Sequence, residues 1–266
     1  MTNAGRNLFM GLVLLILAAP LFVVAGVSVN AEKQLIFPPE GFSLGWYAEL
    51  LSQADWLNAV KNSLIIAVVS AALAVSIAFP LAYFLWRYRV FYAQILFGLG
   101  LAPFMLPPVI TALGFLIFWV NVGLYGSIFA TLLSHAIFFV TLPLVTVSLG
   151  LESIDRQVVE AATTMGSDDR AIFRTIVLPL VRPYLVSGYA FAFVLSLNEY
   201  IVAYMVAGFT VETLPIKVFN SLRYGYTPVM ASVAVVFVIV SILVFGLIAR
   251  FGDLPKLLGA WSSKES

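Results

Sequence analysis

The sequence predicts an all-α, polytopic membrane protein with six transmembrane helices. Three observations carry this. Of the 266 residues, 62% are hydrophobic and only 10% are charged, against about 45–50% and about 25% in an average soluble domain. So few charges cannot cover a surface that faces water, and the mean hydropathy of +1.05 agrees. Six runs are each apolar over about 20 residues, the length a helix needs to cross a hydrocarbon core of about 30 Å. Alternating segments of about ten residues, the mark of a membrane β-barrel, are absent. Inside lipid every backbone N–H needs a partner within the protein, so these runs are helices.

The runs are 8–29, 62–86, 95–120, 127–149, 184–208 and 230–250. The first has two readings. Arg6 and the small residues around Val29-Asn30-Ala31 fit a cleaved signal peptide. Its apolar stretch is longer than the roughly 7–15 residues of a signal core, which favours a retained span. Pro20 and Gly26 are compatible with a membrane helix. Orientation follows from the basic residues. With the N-terminus inside, Arg6, Arg87, Arg89, Arg156, Arg170, Arg174, Arg182, Arg250, Lys256 and Lys264 fall on inner segments. Lys33, Lys61, Lys217 and Arg223 fall outside. Ten against four places both termini in the cytoplasm.

Composition also excludes chemistries. A net charge of +1 provides no basic footprint for nucleic acid. No cysteine and a single histidine leave no thiolate or His-cluster metal site, and the spans show no paired carboxylates or triad. No catalytic or metal-ligating residue is therefore predicted.

One inner segment, 150–183, is too long and too patterned for a connector. Val158, Ala162, Met165, Ile172, Phe173 and Ile176 recur at helix-compatible intervals, opposite Glu160, Asp168, Asp169 and Arg170. Gly166 interrupts, Ser167 is a candidate N-cap, and Leu178-Pro179 is expected to end the second of two short helices. An amphipathic helix on the membrane surface is one reading, but its polar face is usually basic. Acids beside the arginines fit a knob presented to a protein partner.

Glu160-Ala161-Ala162, Gly166 six positions after the Glu, and Ile176-Val177-Leu178-Pro179 resemble the EAA loop of permease subunits in binding-protein-dependent ABC importers. The spacings match throughout, and the segment stands before the last two spans. From about residue 58 to 250 the chain resembles the type I importer permease core, preceded by a span and outer loop over 1–57 and followed by a cytoplasmic tail over 251–266. Ser196-Leu197-Asn198-Glu199-Tyr200, Leu214-Pro215-Ile216-Lys217, Gly225-Tyr226-Thr227-Pro228 and Pro107-Pro108 are most similar to the second permease of spermidine/putrescine-type systems.

The resemblance implies a non-enzymatic subunit in a bacterial inner membrane. It implies two copies of a cytoplasmic ATPase, a second and different permease chain, and an extracytoplasmic solute-binding protein. The chain has no GxxxxGK[ST] loop, so ATP and magnesium would be bound by the partner. Glu160, Ala161, Ala162, Gly166, Leu178 and Pro179 are then the coupling residues. Glu160 offers a charge-assisted acceptor and the two alanines permit close approach. By itself Glu160 reads as a solvated charge at a helix start. The segment 209–229 would be a small external helix facing the binding protein, or a plain loop.

Glu199 is the only acid within a span. An acid at a helix centre costs about 2.5–3.5 kcal/mol on insertion scales, so it faces protein or a hydrated cavity. Two roles stand open: with Asn198, a site on the path of a cationic solute, or a structural hydrogen bond. Tyr200, Tyr204 and Phe193 line a cavity or simply pack. His135 has no titratable partner in its own span, which favours packing over proton relay. The competing class is an ion-coupled carrier or channel, which would work without an ATPase.

Overall fold

The computed structural model describes residues 3–88, 90–224 and 227–251. Arg89, Gly225, Tyr226 and the tail from 252, with Lys256 and Lys264, lie outside them, as does the Arg250 side chain. Most of the described residues are helical, with no strand among them. They form two compact units, Met1–Lys61 with Thr213–Ile242 and Asn62–Glu212 with Leu243–Ser266.

In the first unit α1 (Asn3–Ser28) is apolar on all sides, and Leu14 and Leu17 are each 71% exposed. That surface suits lipid and little else. Beyond α1, fully buried Asn30 organises the chain. Its Oδ1 accepts from the Glu32 and Glu40 N–H groups, its Nδ2 donates to the Gln34 carbonyl, and its carbonyl accepts from Trp46 Nε1 at 2.7 Å. Leu50 of α2 (Gly45–Ser52) and Trp56 and Ala59 of α3 (Ala54–Tyr88) form one core with residues of α12 and α13. α12 is Leu214–Tyr224 and α13 is Val229–Phe251. The segment 209–229 thus holds a helix. Lys217 on it lies 5.7 Å over the Trp56 ring and 3.8 Å from Asp55.

The second unit is built on close approach. The rest of α3 carries buried Ala67, Ala71, Ala74, Ala78 and Ala82, a small-residue stripe that lets helices meet near their backbones. α4 (Phe91–Met105) and α5 (Pro108–Val122) meet at a 114° bend. The expected run over 95–120 is therefore broken. Pro107 and Pro108 have no N–H to return to the α4 carbonyls, and Leu106 before them is extended (ψ 150). α6 (Ile128–Phe139) and α7 (Thr141–Glu152) bend by 43°; the Pro143 ring crowds the Phe139 carbonyl one turn back. Among the described residues four helices are individually long enough to span, and the number reaches six if each bent pair is one span.

α7 packs along α10 (Leu178–Asn198) through glycines. A Cβ at Gly188 would stand 2.9 Å from Pro143 Cα, and one at Gly150 would stand 2.6 Å from the Tyr184 ring. Gly188→Ala should cost about 1–3 kcal/mol by overpacking. Gly114→Ala, where nothing lies within 4 Å, should be neutral or stabilising. Thermal unfolding of the two purified variants in detergent checks the difference.

Candidate functional site

Asp155 caps α8 (Arg156–Thr164), accepting from the Gln157 N–H at 2.9 Å. The helix ends in a closed turn. The Gly166 N–H donates to the Thr163 carbonyl and the Ser167 N–H to the Ala162 carbonyl, with Gly166 at φ +88. This is the Schellman pattern, in which the residue after the cap is left-handed and glycine is preferred. Gly166 is required by that backbone angle and not by crowding, because no atom lies within 4 Å of an added Cβ. The spacing from Glu160 to Gly166 is thus the distance from the middle of α8 to the left-handed residue of this turn.

After the turn Asp168, not Ser167, is the N-cap; its carboxylate accepts from the Ala171 N–H at 2.8 Å. A carboxylate so placed also suits the helix dipole. α9 (Asp169–Ile172) does not stop at Leu178-Pro179. It widens into a π turn over Phe173–Val177, closed by the Leu178 N–H on the Phe173 carbonyl, and continues as α10. The wider turn accommodates Pro179, whose ring would otherwise crowd the Thr175 carbonyl and which supplies no N–H. The outcome is one helical rod, Asp169–Asn198, of 30 residues and about 45 Å at 1.5 Å per residue.

The apolar face differs from the expected one. Val158 is 48% and Met165 86% exposed, whereas Val159, Ile172 and Val177 are buried. Ala162, Phe173 and Ile176 pack on the same core. Val159 was hidden from the spacing argument by its neighbour Val158, since either fits a helical repeat. Glu160 and Ala161 are exposed, and Ala162 is half-buried. Leu178 and Pro179 are exposed further along the rod. The loop is fastened to the end of α3: Arg87 donates to Asp169 at 2.7 Å, and the Tyr83 and Phe79 rings stand 5.2 and 5.8 Å from Phe173. Trp86, Arg87, Arg156, Val159 and Glu160 line a shallow cleft beside this junction.

At its far end the rod stops at Glu199, which is extended (ψ 127); α11 (Ile201–Ala207) follows. Glu199 therefore lies at a break and not inside a continuous helix over 184–208. Its carboxylate caps α11, accepting from the Val202 N–H at 2.8 Å and the Ala203 N–H at 2.9 Å. His135 Nε2 stands 3.3 Å away, at ion-pair distance though off the line of a good hydrogen bond, and His135 Nδ1 is 2.8 Å from Ser196 Oγ. The partner absent from the histidine's own span comes from another helix. Serine, histidine and glutamate are the residue types of a hydrolytic triad, which the sequence did not reveal. Here Ser196 is 5% and His135 1% exposed, so no substrate reaches the hydroxyl. Asn198 is exposed and donates to the Val194 carbonyl at 2.8 Å. Tyr200 stacks on Tyr204, while Phe193 stacks on Tyr189.

A helical membrane unit with an exposed, glycine-turned knob on a rod that ends at a buried carboxylate fits a transport permease, and the family comparison shows that class. The family described as "Binding-protein-dependent transport system inner membrane component" matches residues 2–253, and the chain belongs to it. It is 30% identical over 237 residues to the spermidine/putrescine transport system permease protein PotC of Haemophilus influenzae, covering 89% of this chain and 92% of that one. It is 31% identical over 256 residues to the putrescine transport system permease protein PotI of Escherichia coli K12, covering 94% and 88%. Among solved structures, a bacterial ABC transporter involved in alginate import superposes with a TM-score of 0.68 at 17% identity, covering 93% of this chain and 95% of that one. The MetNI methionine ABC transporter gives 0.60 at 20% identity, covering 73% and 93%. The fold is that of an ABC importer permease, which favours this class over an ion-coupled carrier.

Two amides report the turn directly. Gly166→Ala should strain the left-handed position by about 1–2 kcal/mol and speed hydrogen exchange at residue 166 and at Ser167. Gly166→Asn should be milder, because asparagine tolerates that conformation.

Proposed function

We propose that this chain is a transmembrane subunit of an ATP-driven importer for a small organic cation of the polyamine class. It works with two copies of a separate ATPase, a second and different permease chain and an extracytoplasmic solute-binding protein. The observation that carries the coupling is the rod: a knob at Glu160–Gly166 leads through a closed turn into a helix that runs unbroken from Asp169 to Asn198 and stops at the Glu199 carboxylate. A partner that grips Glu160, Ala161 and Ala162 and moves also moves the far end, because a helix transmits displacement along its axis. The Arg87–Asp169 bond carries the same displacement into α3. Leu178 and Pro179 sit just past the π turn, where the rod bends most easily.

Both termini and the knob lie on the cytoplasmic side, as the basic residues require. ATP and magnesium belong to the partner, whose closing and opening is the bistable element that drives the switch in access. Polyamine transport is supported by the names of the PotC and PotI relatives and by the charge at Glu199. An acid beside the solute path raises the local concentration of cations. Asn198, exposed at the same break, is available to a passing alkylammonium group. Glu199 acts mainly through its field, since its side chain is 8% exposed.

Two outcomes test the reading. Proteoliposomes holding the complete complex should take up labelled spermidine only with ATP inside the lumen that faces the ATPase; flux with this chain alone would return the ion-coupled class. Glu160→Lys should insert and accumulate normally yet lower uptake at least about tenfold, a loss of about 1.4 kcal/mol of coupling. Wild-type uptake and copurification with the ATPase would remove Glu160 from the coupling surface.

A further inference from the structure

His135 is the only histidine of the chain and is 1% exposed. Its ring touches both sides of the break: Ser196 in the last turn of α10 and Glu199 before α11. Around it Phe139 presents an edge at 5.8 Å, and Trp119 Nε1 donates to the adjacent Ser134. The chemistry of the three groups assigns the hydrogens. An ionised carboxylate only accepts, and the Val202 and Ala203 N–H groups already point at it. A hydroxyl both donates and accepts, so Ser196 serves Nδ1 in either role. The Nε2 hydrogen is left for Glu199 whether the imidazole is neutral or charged.

We propose that His135 is a positioning residue for cation transport: it clasps the α10–α11 break onto α6 and aims the Glu199 carboxylate that the solute senses. The proposal rests on the polyamine reading given above. Without the clasp the carboxylate is held only by the two amides of a seven-residue helix, and its distance from the path is no longer set from α6. The contact also joins α6 to the end of the rod, so the rod cannot move without carrying or breaking it.

The complete complex in proteoliposomes, with labelled spermidine, provides the first test. Glutamine reaches the place of Nε2 and keeps its donor; asparagine stops at the place of Nδ1. His135→Asn should raise KM for spermidine uptake about tenfold, with subunit assembly and basal ATP hydrolysis within about twofold. His135→Gln should restore KM to within about threefold of wild type, and His135→Asn with Glu199→Gln should be no worse than Glu199→Gln alone, as coupled residues behave. Equal damage by Gln and Asn, or effects that multiply, would overturn the proposal. The second test needs no uptake. The difference in histidine ¹⁵N spectra between wild-type and His135→Asn complexes should show a protonated Nε2 that shifts in Glu199→Gln. A bare Nε2, or one blind to Glu199→Gln, would overturn the clasp. A wild-type complex that shows the expected spectrum but moves no polyamine would discard the solute reading alone.

Discussion

A backbone amide or carbonyl without a partner inside a bilayer has no water to turn to, and that constraint shapes the points where the membrane helices break. Where the helices run straight, the ladder satisfies itself. Where they break, something must replace it. At Glu199 a carboxylate supplies the acceptor for two amides of α11. At Leu106-Pro107 two successive prolines present no amide that needs a partner. Between Ile172 and Leu178 the chain keeps its bonds by widening the turn rather than ending it. Each break is therefore held by a residue whose chemistry fits it.

These solutions produce a lever. The Schellman turn at Gly166 reverses the chain after α8, and the cap at Asp168 starts the next helix. That helix continues for 30 residues to the buried His135–Glu199 contact. Packing guides it. Gly188 and Gly150 bring α7 and α10 together so closely that a methyl group would not fit, and the alanine stripe of α3 gives that helix its own close contacts. Dense packing of this kind passes displacement on instead of absorbing it. In the coupling proposed above, a subunit without a phosphate-binding loop responds in this way to a motor that it does not contain.

The polar residues divide by depth. On the loop, Glu160 remains exposed while Asp169 is engaged by Arg87. An exposed pair of this kind contributes little to stability; its geometry, which ties the loop to α3, is the more important property. At the break, burial reverses the balance. An uncompensated carboxylate there would be costly, so the two amide donors and the His135 ring beside it matter to folding.

Much of this was legible in the residues. Apolar runs and scarce charge establish a helical membrane protein, because lipid leaves no other way to satisfy a backbone. The spacing from Glu160 to Gly166 reveals a turned loop, because a glycine that must be left-handed stands at a fixed distance past a helix. The particular face of that loop was not legible. Val158 and Val159 fit a helical repeat equally, and only the core against α3 shows that Val159 points inward. The angles of the bends at Leu106 and Val140 were not legible, since neighbouring helices determine how far a ladder weakened by proline opens. The pairing of His135 with Glu199 and Ser196 was invisible. Sequence determines local geometry through bonds between near neighbours; which distant side chains meet depends on how the helices pack, and that only the tertiary structure decides.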